Sequence, residues 1–206
     1  MKELLIFPYS ATAVEALDCL GAEWKCIGFI SDDAGLIGTT VYGIPVYDRS
    51  VLNIRLNAYV LAIHGSPHSF RNRPGIISSL GIDPERFATV CHPSACISPR
   101  ATLGKNVLIM AGIVITANAS ISDHVVILPN TVIHHDSHVG KYTLIASNVT
   151  VTGNVTVGEN CYLGASSTIR NGLELPNFTL VGMNSNVLSA PKTSGVTIVG
   201  NPAKTL

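Results

Sequence analysis

The chain has 206 residues, 47% of them hydrophobic and only 13% charged, with 13 basic residues balanced by 13 acidic ones. That length can bury a substantial core as one large domain or two small ones, and a formal net charge of zero offers no polyanion-binding surface, which argues against nucleic acid as a partner. No segment approaches the roughly 20 apolar residues of a membrane span, and so little charge on so apolar a chain points to surface covered by further subunits.

In chain order, Leu4–Phe7 is a short apolar strand that stops at Pro8, too short a run for a signal peptide. A helical pattern follows over Ala11–Leu20, then a second strand, Cys26–Ile30, ending in Ser31-Asp32-Asp33. Ala58–Ile63 is a third strand, leading into His64-Gly65-Ser66 and a helix to about Leu80, with Phe87–Val90 as a closing strand. Strands alternating with helices predict a small parallel α/β sheet. Ligands of such sheets bind at the carboxyl ends of the strands, here Pro8 to Ala13, Asp32, Asp33 and His64 to Ser66. The five cysteines are odd in number and form no Cys-x-x-Cys pair, which fits free thiols in a reducing cytoplasm.

From Ile97 onward the pattern changes. Every sixth residue from Ile97 to Val187 is Ile, Leu or Val, sixteen positions without a break. A period of six suits neither a 3.6-residue helix nor a two-residue alternation. It suits a parallel β-helix, in which three short strands make a triangular coil of 18 residues, each strand sends its aliphatic residue to the axis, and Gly, Asn, Asp and Ser turn the corners. Ile97, Ile115, Ile133, Val151, Ile169 and Val187 then form one internal ladder. Gly104, Gly140, Gly158, Gly164 and Gly182 directly follow aliphatic positions and are expected at tight corners. Four Asn-x-Ser/Thr triplets begin at Asn118, Asn148, Asn154 and Asn177, and without a secretory signal the coil corners explain them better than glycosylation does. Ser189–Gly195 breaks the register and is expected to be an exposed loop.

Within the repeat, Asn130–Gly140 gathers His134, His135, Asp136 and His138. A metal site in a β-helix needs histidines converging from neighbouring coils, but one coil away from His135 lie Ala117 and Gly153, and no histidine follows His138. One histidine and one carboxylate do not complete a zinc site, so no metal is expected. A water-facing polar surface and a catalytic base remain as readings.

Hexapeptide repeats of this form, closed by Val199-Gly-Asn-Pro-Ala-Lys204, resemble the left-handed β-helix acyltransferases over about residues 92 to 206. With the α/β unit ahead of them, the chain resembles the sialic acid O-acetyltransferase family and its relatives, the N-acetyltransferases of UDP-, dTDP- and GDP-linked amino sugars. The resemblance implies a Rossmann-like α/β domain at 1–91 that binds a sugar or nucleotide sugar, and a left-handed parallel β-helix acyltransferase domain at 92–206. It implies a cytoplasmic homotrimer that transfers acetyl from acetyl-CoA to a nucleotide-linked amino sugar for a surface glycan. The alternative is O-acetylation of a sialic acid or lipopolysaccharide sugar. A metal-dependent hydratase and a non-catalytic scaffold are the further readings of the same fold.

The family motif, an acidic or amidic residue, then His, then an acidic residue, then x-x-aliphatic-Gly, aligns through Ile133 and Gly140 to make His135 the general base and Asp136 its orienter. Matching positions imply acetyl-CoA contacts at Gly153, Ala165, Gly182 and Met183. On the acceptor side the Asp32-Asp33 pair matches, the first loop keeps Ser10 while carrying no glycine, and His64 and Gly65 complete the set. Some relatives have a second histidine nine residues beyond the base, where this chain has Leu144.

Overall fold

A computed structural model describes residues 1–206. Near the N-terminus a five-stranded sheet is built from β1 (Lys2–Phe7), β2 (Trp24–Ile30), β3 (Thr40–Val41), β4 (Ile44–Tyr47) and β5 (Tyr59–Ala62). Its order is β3-β4-β2-β1-β5, with β1 parallel to β2 and β5, β4 parallel to β2, and β3 antiparallel to β4. The interior strand β1 buries Leu4, Leu5, Ile6 and Phe7, as its unbroken apolar run requires of a strand covered on both faces. Three short helices accompany the sheet: α1 (Ala11–Glu15), α2 (Val51–Ile54) and α3 (Arg73–Ser78).

Two details of the sheet differ from the sequence reading. The hairpin of β3 and β4 was not anticipated, although Tyr42-Gly43, at φ of 51° and 77°, supplies the left-handed pair that a two-residue hairpin turn needs. Phe87–Val90 is not a strand of the sheet. Phe87 makes one isolated bridge to Val60, and Val90–Cys91 pairs instead with Leu108–Ile109 of the repeat.

The repeat folds into a parallel β-helix with three faces. One stacks six strands from Cys96–Ile97 to Asn186–Val187, the second stacks five from Thr102–Leu103 to Glu174–Leu175, and the third has eight, beginning at Val90–Cys91. The third face ends in an antiparallel pair, Thr197–Gly200 with Ala203–Thr205, that closes the coil. Partners in adjacent coils are 18 residues apart, as in Ile115 with Ile133 and Val151 with Ile169. Ile133, Val151, Ile169 and Val187 have no exposed surface. Burial of each such side chain contributes about 1.5 to 3 kcal/mol before chain entropy is counted. Ser189–Gly195 lies outside every strand.

A second inward column runs two residues ahead of the aliphatic one and went unnoticed in the sequence because its members are small and partly polar. Thr131, Ser137 and Thr143 are buried in it, each hydroxyl donating to a carbonyl 15 residues on and accepting from an amide 18 residues on. They tie successive coils together and leave no polar atom of their own unpaired.

Corners are turned by residues of positive φ recurring at 18-residue intervals. Asn118, Asp136 and Asn154 stand at one corner, Asn130, Asn148, Ser166 and Asn184 at another, and Asn106, His124, Tyr142, Asn160 and Phe178 at the third. Asn tolerates this conformation better than most residues, which accounts for three of the four Asn-x-Ser/Thr triplets. Asn177 serves otherwise, its side chain accepting from the amide of Glu159 at 2.8 Å. The glycines after the aliphatic positions have a different reason from the expected one. Gly140 and Gly164 do not take positive φ, but a Cβ at either would meet backbone of the next coil at 2.6 to 2.7 Å.

From Leu108 to Leu180 the outward residues of the third face are apolar, and Leu108, Val126 and Leu144 are buried. They join Leu4, Ile6 and Phe29 in one apolar cluster, so the sheet packs on this face. The second face presents Thr102, Ser120, His138, Thr156 and Glu174 instead. No helix is long and apolar enough to cross a membrane.

Candidate active site

His135 and Asp136 sit at the corner that follows Val132–Ile133, between the first and second faces. The corner is held from both sides: the Asp136 amide donates to the Ala117 carbonyl at 3.1 Å, and the Asn154 amide donates to the His135 carbonyl at 3.0 Å. From inside, the Ser137 hydroxyl donates to the Thr152 carbonyl at 2.8 Å and accepts from the Val155 amide. Asp136 itself has φ of 58°, and this turns its carboxylate back toward the preceding ring.

Nδ1 of His135 is 2.7 Å from Oδ2 of Asp136, and the other carboxylate oxygen, Oδ1, accepts from the Asn118 amide at 2.9 Å. The Asn118 donation, followed by that of His135, holds the Asp136 carboxyl below its usual range, so it is ionised at neutral pH. An ionised carboxylate only accepts, so the ring proton belongs on Nδ1 and Nε2 carries the lone pair. Nε2 lies over Gly153, where a Cβ would be only 2.7 Å away. Gly153 is therefore what gives the ring its place. The imidazole is about half exposed, with its free nitrogen available to a substrate proton.

His134 and His138 do not join this pair. The His134 amide is part of the coil ladder, bonded to the Val151 carbonyl. His138 lies on the second face with Nδ1 2.8 Å from the Ser120 hydroxyl. No group of three or more His, Cys, Asp or Glu side chains converges anywhere in the chain.

The residues matched to acetyl-CoA binding divide between two corners. Gly153 is with His135, whereas Ala165, Gly182 and Met183 follow Tyr162–Leu163 and Leu180–Val181 of the third face. Met183 is 77% exposed, a large apolar side chain left open to solvent. Between coils the chain is tightly stacked there, since a Cβ on Gly164 would meet Gly182 and Met183 backbone at 2.7 Å.

Of the acceptor set, Ser10, His64 and Gly65 line one cleft at the carboxyl ends of β1 and β5, with Pro8, Thr12 and Ser66. The Ser10 hydroxyl accepts from the Ala13 amide at 3.2 Å and caps α1. His64 is half-buried. Its burial, and then the nearby Arg73 guanidinium, keep the imidazole below its usual pKa, and its Nε2 has no partner. Asp32 and Asp33 lie outside this cleft. Asp32 receives both Nε and Nη2 of Arg49, at 2.6 and 2.7 Å, and Asp33 accepts from the Gly35 amide at 2.9 Å. An apolar hollow shares Thr12, Ile63, Gly65 and Ser66 with the cleft and continues it along Val126, Leu144 and Tyr162 of the third face.

Sequence reasoning missed Asn118, whose signal was its place one coil before Asp136. It also missed the apolar role of Leu144, legible in its alignment with Leu108 and Val126 at 18-residue spacing.

Among known proteins, the GMPPB C-terminal domain family matches residues 87–179. No curated protein matches the chain. Solved structures similar over the whole chain include PerB from Caulobacter crescentus in complex with CoA and GDP-perosamine, at 23% identity and a TM-score of 0.85, covering 100% of this chain and 97% of that one. The acetyltransferase domain of PglB from Neisseria gonorrhoeae in complex with acetyl coenzyme A is 23% identical with a TM-score of 0.85, covering 100% and 99%. WeeI from Acinetobacter baumannii is 22% identical with a TM-score of 0.81, covering 100% of each chain. At these identities the likeness is one of fold.

Proposed function

We propose that this chain is an acetyl-CoA-dependent acetyltransferase acting on a nucleotide-linked amino sugar, with a Rossmann-like acceptor-binding domain at 1–91 and a left-handed β-helix catalytic domain at 92–206. The observation that carries the proposal is the His135–Asp136 pair, oriented by Asn118 and with Nε2 free over Gly153. Its fold likeness to PerB, solved with CoA and GDP-perosamine, and to the PglB domain, solved with acetyl coenzyme A, supports the choice of substrates.

In this reading the sugar amine attacks the thioester carbonyl carbon as His135 Nε2 takes its proton. Asp136 stabilises the imidazolium that forms, and backbone amides of the coil stabilise the oxyanion. Collapse of the tetrahedral adduct breaks the C–S bond, and the proton returns from His135 to the departing thiolate. The products are the acetamido sugar and CoA. Ser10, His64 and Gly65 hold the acceptor in the cleft, with Asp32 and Asp33 at its nucleotide end.

Gly153 with His135, and Ala165 with Gly182 and Met183, stand at different corners of the triangular β-helix. One molecule of acetyl-CoA contacts both sets when the corner of one copy faces the other corner of its neighbour. We therefore read the enzyme as a cytoplasmic homotrimer with cosubstrate grooves between copies, working on a lipopolysaccharide or other surface glycan.

The test is thiol release from acetyl-CoA against a panel of UDP-, dTDP- and GDP-linked amino sugars, free amino sugars and sialic acids. Turnover confined to nucleotide-linked amines supports the proposal. Turnover confined to hydroxyl acceptors, or none with any member, contradicts it.

A further inference from the structure

Arg73, the first residue of α3, has no exposed surface and no carboxylate partner. Its guanidinium instead donates to three main-chain carbonyls: Nη1 to His64, Nη2 to His124, and Nε to Tyr142 at 2.9 Å. His64 belongs to the cleft loop, whereas His124 and Tyr142 are successive rungs of one corner of the β-helix, one coil apart. Burial lowers the Arg73 pKa to about 9, which leaves the group charged at neutral pH. Burying a charge is costly, and an apolar side chain of similar volume packs without that cost. What a guanidinium adds is a rigid fork of donors that fixes several acceptors in one geometry.

The neighbouring contacts point the same way. Asn106, one coil before His124 on the same corner, accepts from the Ala62 amide at 2.7 Å and donates to the Ala62 carbonyl at 2.8 Å, so it grips the end of β5 as another strand would. Asn106 Nδ2 also lies 3.0 Å from Nδ1 of His124, whose ring stacks on Tyr142 at 4.7 Å. Gly65, at φ of 142°, sits between the two units: a Cβ there would be 2.7 Å from Leu144 and 3.1 Å from Arg73. The chain from Ala62 to Gly65 is thus fastened to three consecutive rungs of one corner, Asn106, His124 and Tyr142.

We infer that Arg73 is a positioning residue whose guanidinium sets the height of the His64–Ser66 loop, and of the acceptor it carries, against the rungs of the β-helix. The inference rests on the acceptor-binding reading of that loop. Rungs are spaced by the distance between neighbouring strands, about 4.8 Å, whereas a misplacement of about 1 Å is enough to cost a reaction on the order of a hundredfold. Docking one rung out would therefore disable transfer, and a fork that engages His124 and Tyr142 together admits one height only. Arg73 acts through the loop and touches no reacting atom.

Two measurements on Arg73→Met and Arg73→Lys test this. Amide hydrogen exchange without substrates should quicken at residues 63–66 in Arg73→Met while residues 150–169 exchange as before. Unchanged exchange at 63–66 would overturn the anchoring role whatever the activity. Kinetics on the nucleotide-linked amino sugar that the wild type turns over should give an acceptor KM about tenfold to a hundredfold higher for Arg73→Met. Arg73→Lys should be intermediate and the acetyl-CoA KM within about twofold of wild type in both. Equal rises in the two KM values, or a lowered Tm with both unchanged, would reduce Arg73 to a packing role. Should Arg73→Met not fold, Asn106→Gly removes the adjacent grip while keeping the positive φ, and the same split is expected of it. Absence of acyl transfer in the wild type would defeat the proposed function, while exchange at 63–66 would still decide the anchoring role.

Discussion

His135 presents Nδ1 to Asp136 at 2.7 Å, and Asp136 in turn is held by Asn118 from the preceding coil. The three residues make a short relay of orientation whose purpose is to leave Nε2 unprotonated. Asp136→Asn keeps a residue that tolerates φ of 58° but offers an amide donor where a carboxylate accepted. It should lower kcat at least about tenfold with an unchanged Tm. Asn118→Gly, which removes only the outer hydrogen bond, should cost less than Asp136→Asn, as initial rates of thiol release will report.

Gly153 and Gly164 provide a paired test of what the corner glycines do. A methyl group at Gly153 meets the end of the His135 ring, which can swing away, whereas one at Gly164 meets backbone of the next coil. Gly153→Ala should therefore lower turnover with little change in melting temperature. Gly164→Ala should lower the melting temperature. The opposite assignment would show that Gly153 is needed for folding and not for placing the ring.

Val151 lies in the internal ladder with no exposed surface, opposite Ile133 and Ile169. An unpaired carboxylate there costs several kcal/mol, against a total stability of about 5 to 15 kcal/mol for a typical domain. Val151→Asp should abolish soluble folded protein. Thr156→Asp, at an exposed outward position, should leave the melting temperature nearly unchanged.

The internal ladder was legible because one aliphatic residue in six is a pattern that only an axial column demands. Ile133 and Val139 fixed the register and, with it, the corner on which His135 and Asp136 stand. The second inward column was not legible, because Thr131, Ser137 and Thr143 are polar residues buried only through hydrogen bonds that reach 15 and 18 residues along the chain. The packing of the sheet on the third face was written in Leu108, Val126 and Leu144, but an outward aliphatic residue acquires meaning only when compared coil by coil. Arg73 carried no signal at all. In Arg71-Asn-Arg-Pro it looks like surface charge, and its burial follows from carbonyls at two rungs of one corner, more than 50 residues away.

His124 makes stability depend on pH. Burial lowers its pKa to about 4, from an unfolded value near 6.5. Between those values the unfolded chain binds a proton that the folded chain refuses, so the stabilising contribution is full above pH 6.5 and is lost as pH falls toward 4. Asp123 opposes the shift while Arg73 and Lys141 add to it, and the partial exposure of the ring screens the whole effect to on the order of 1 to 2 kcal/mol. His124→Asn, suited to the positive φ of this position, should flatten the decline in Tm between pH 6.5 and 4. A decline as steep as that of the wild type would assign it to other groups.

In the proposed reaction His135 takes the acceptor's proton. This step is tested most directly by acetyl transfer in His135→Ala, measured beside the affinity for acetyl-CoA and the oligomeric state. The expected result is a fall in kcat of about 10² to 10⁴ with cosubstrate binding and assembly unchanged. Turnover within a few-fold of wild type would contradict it.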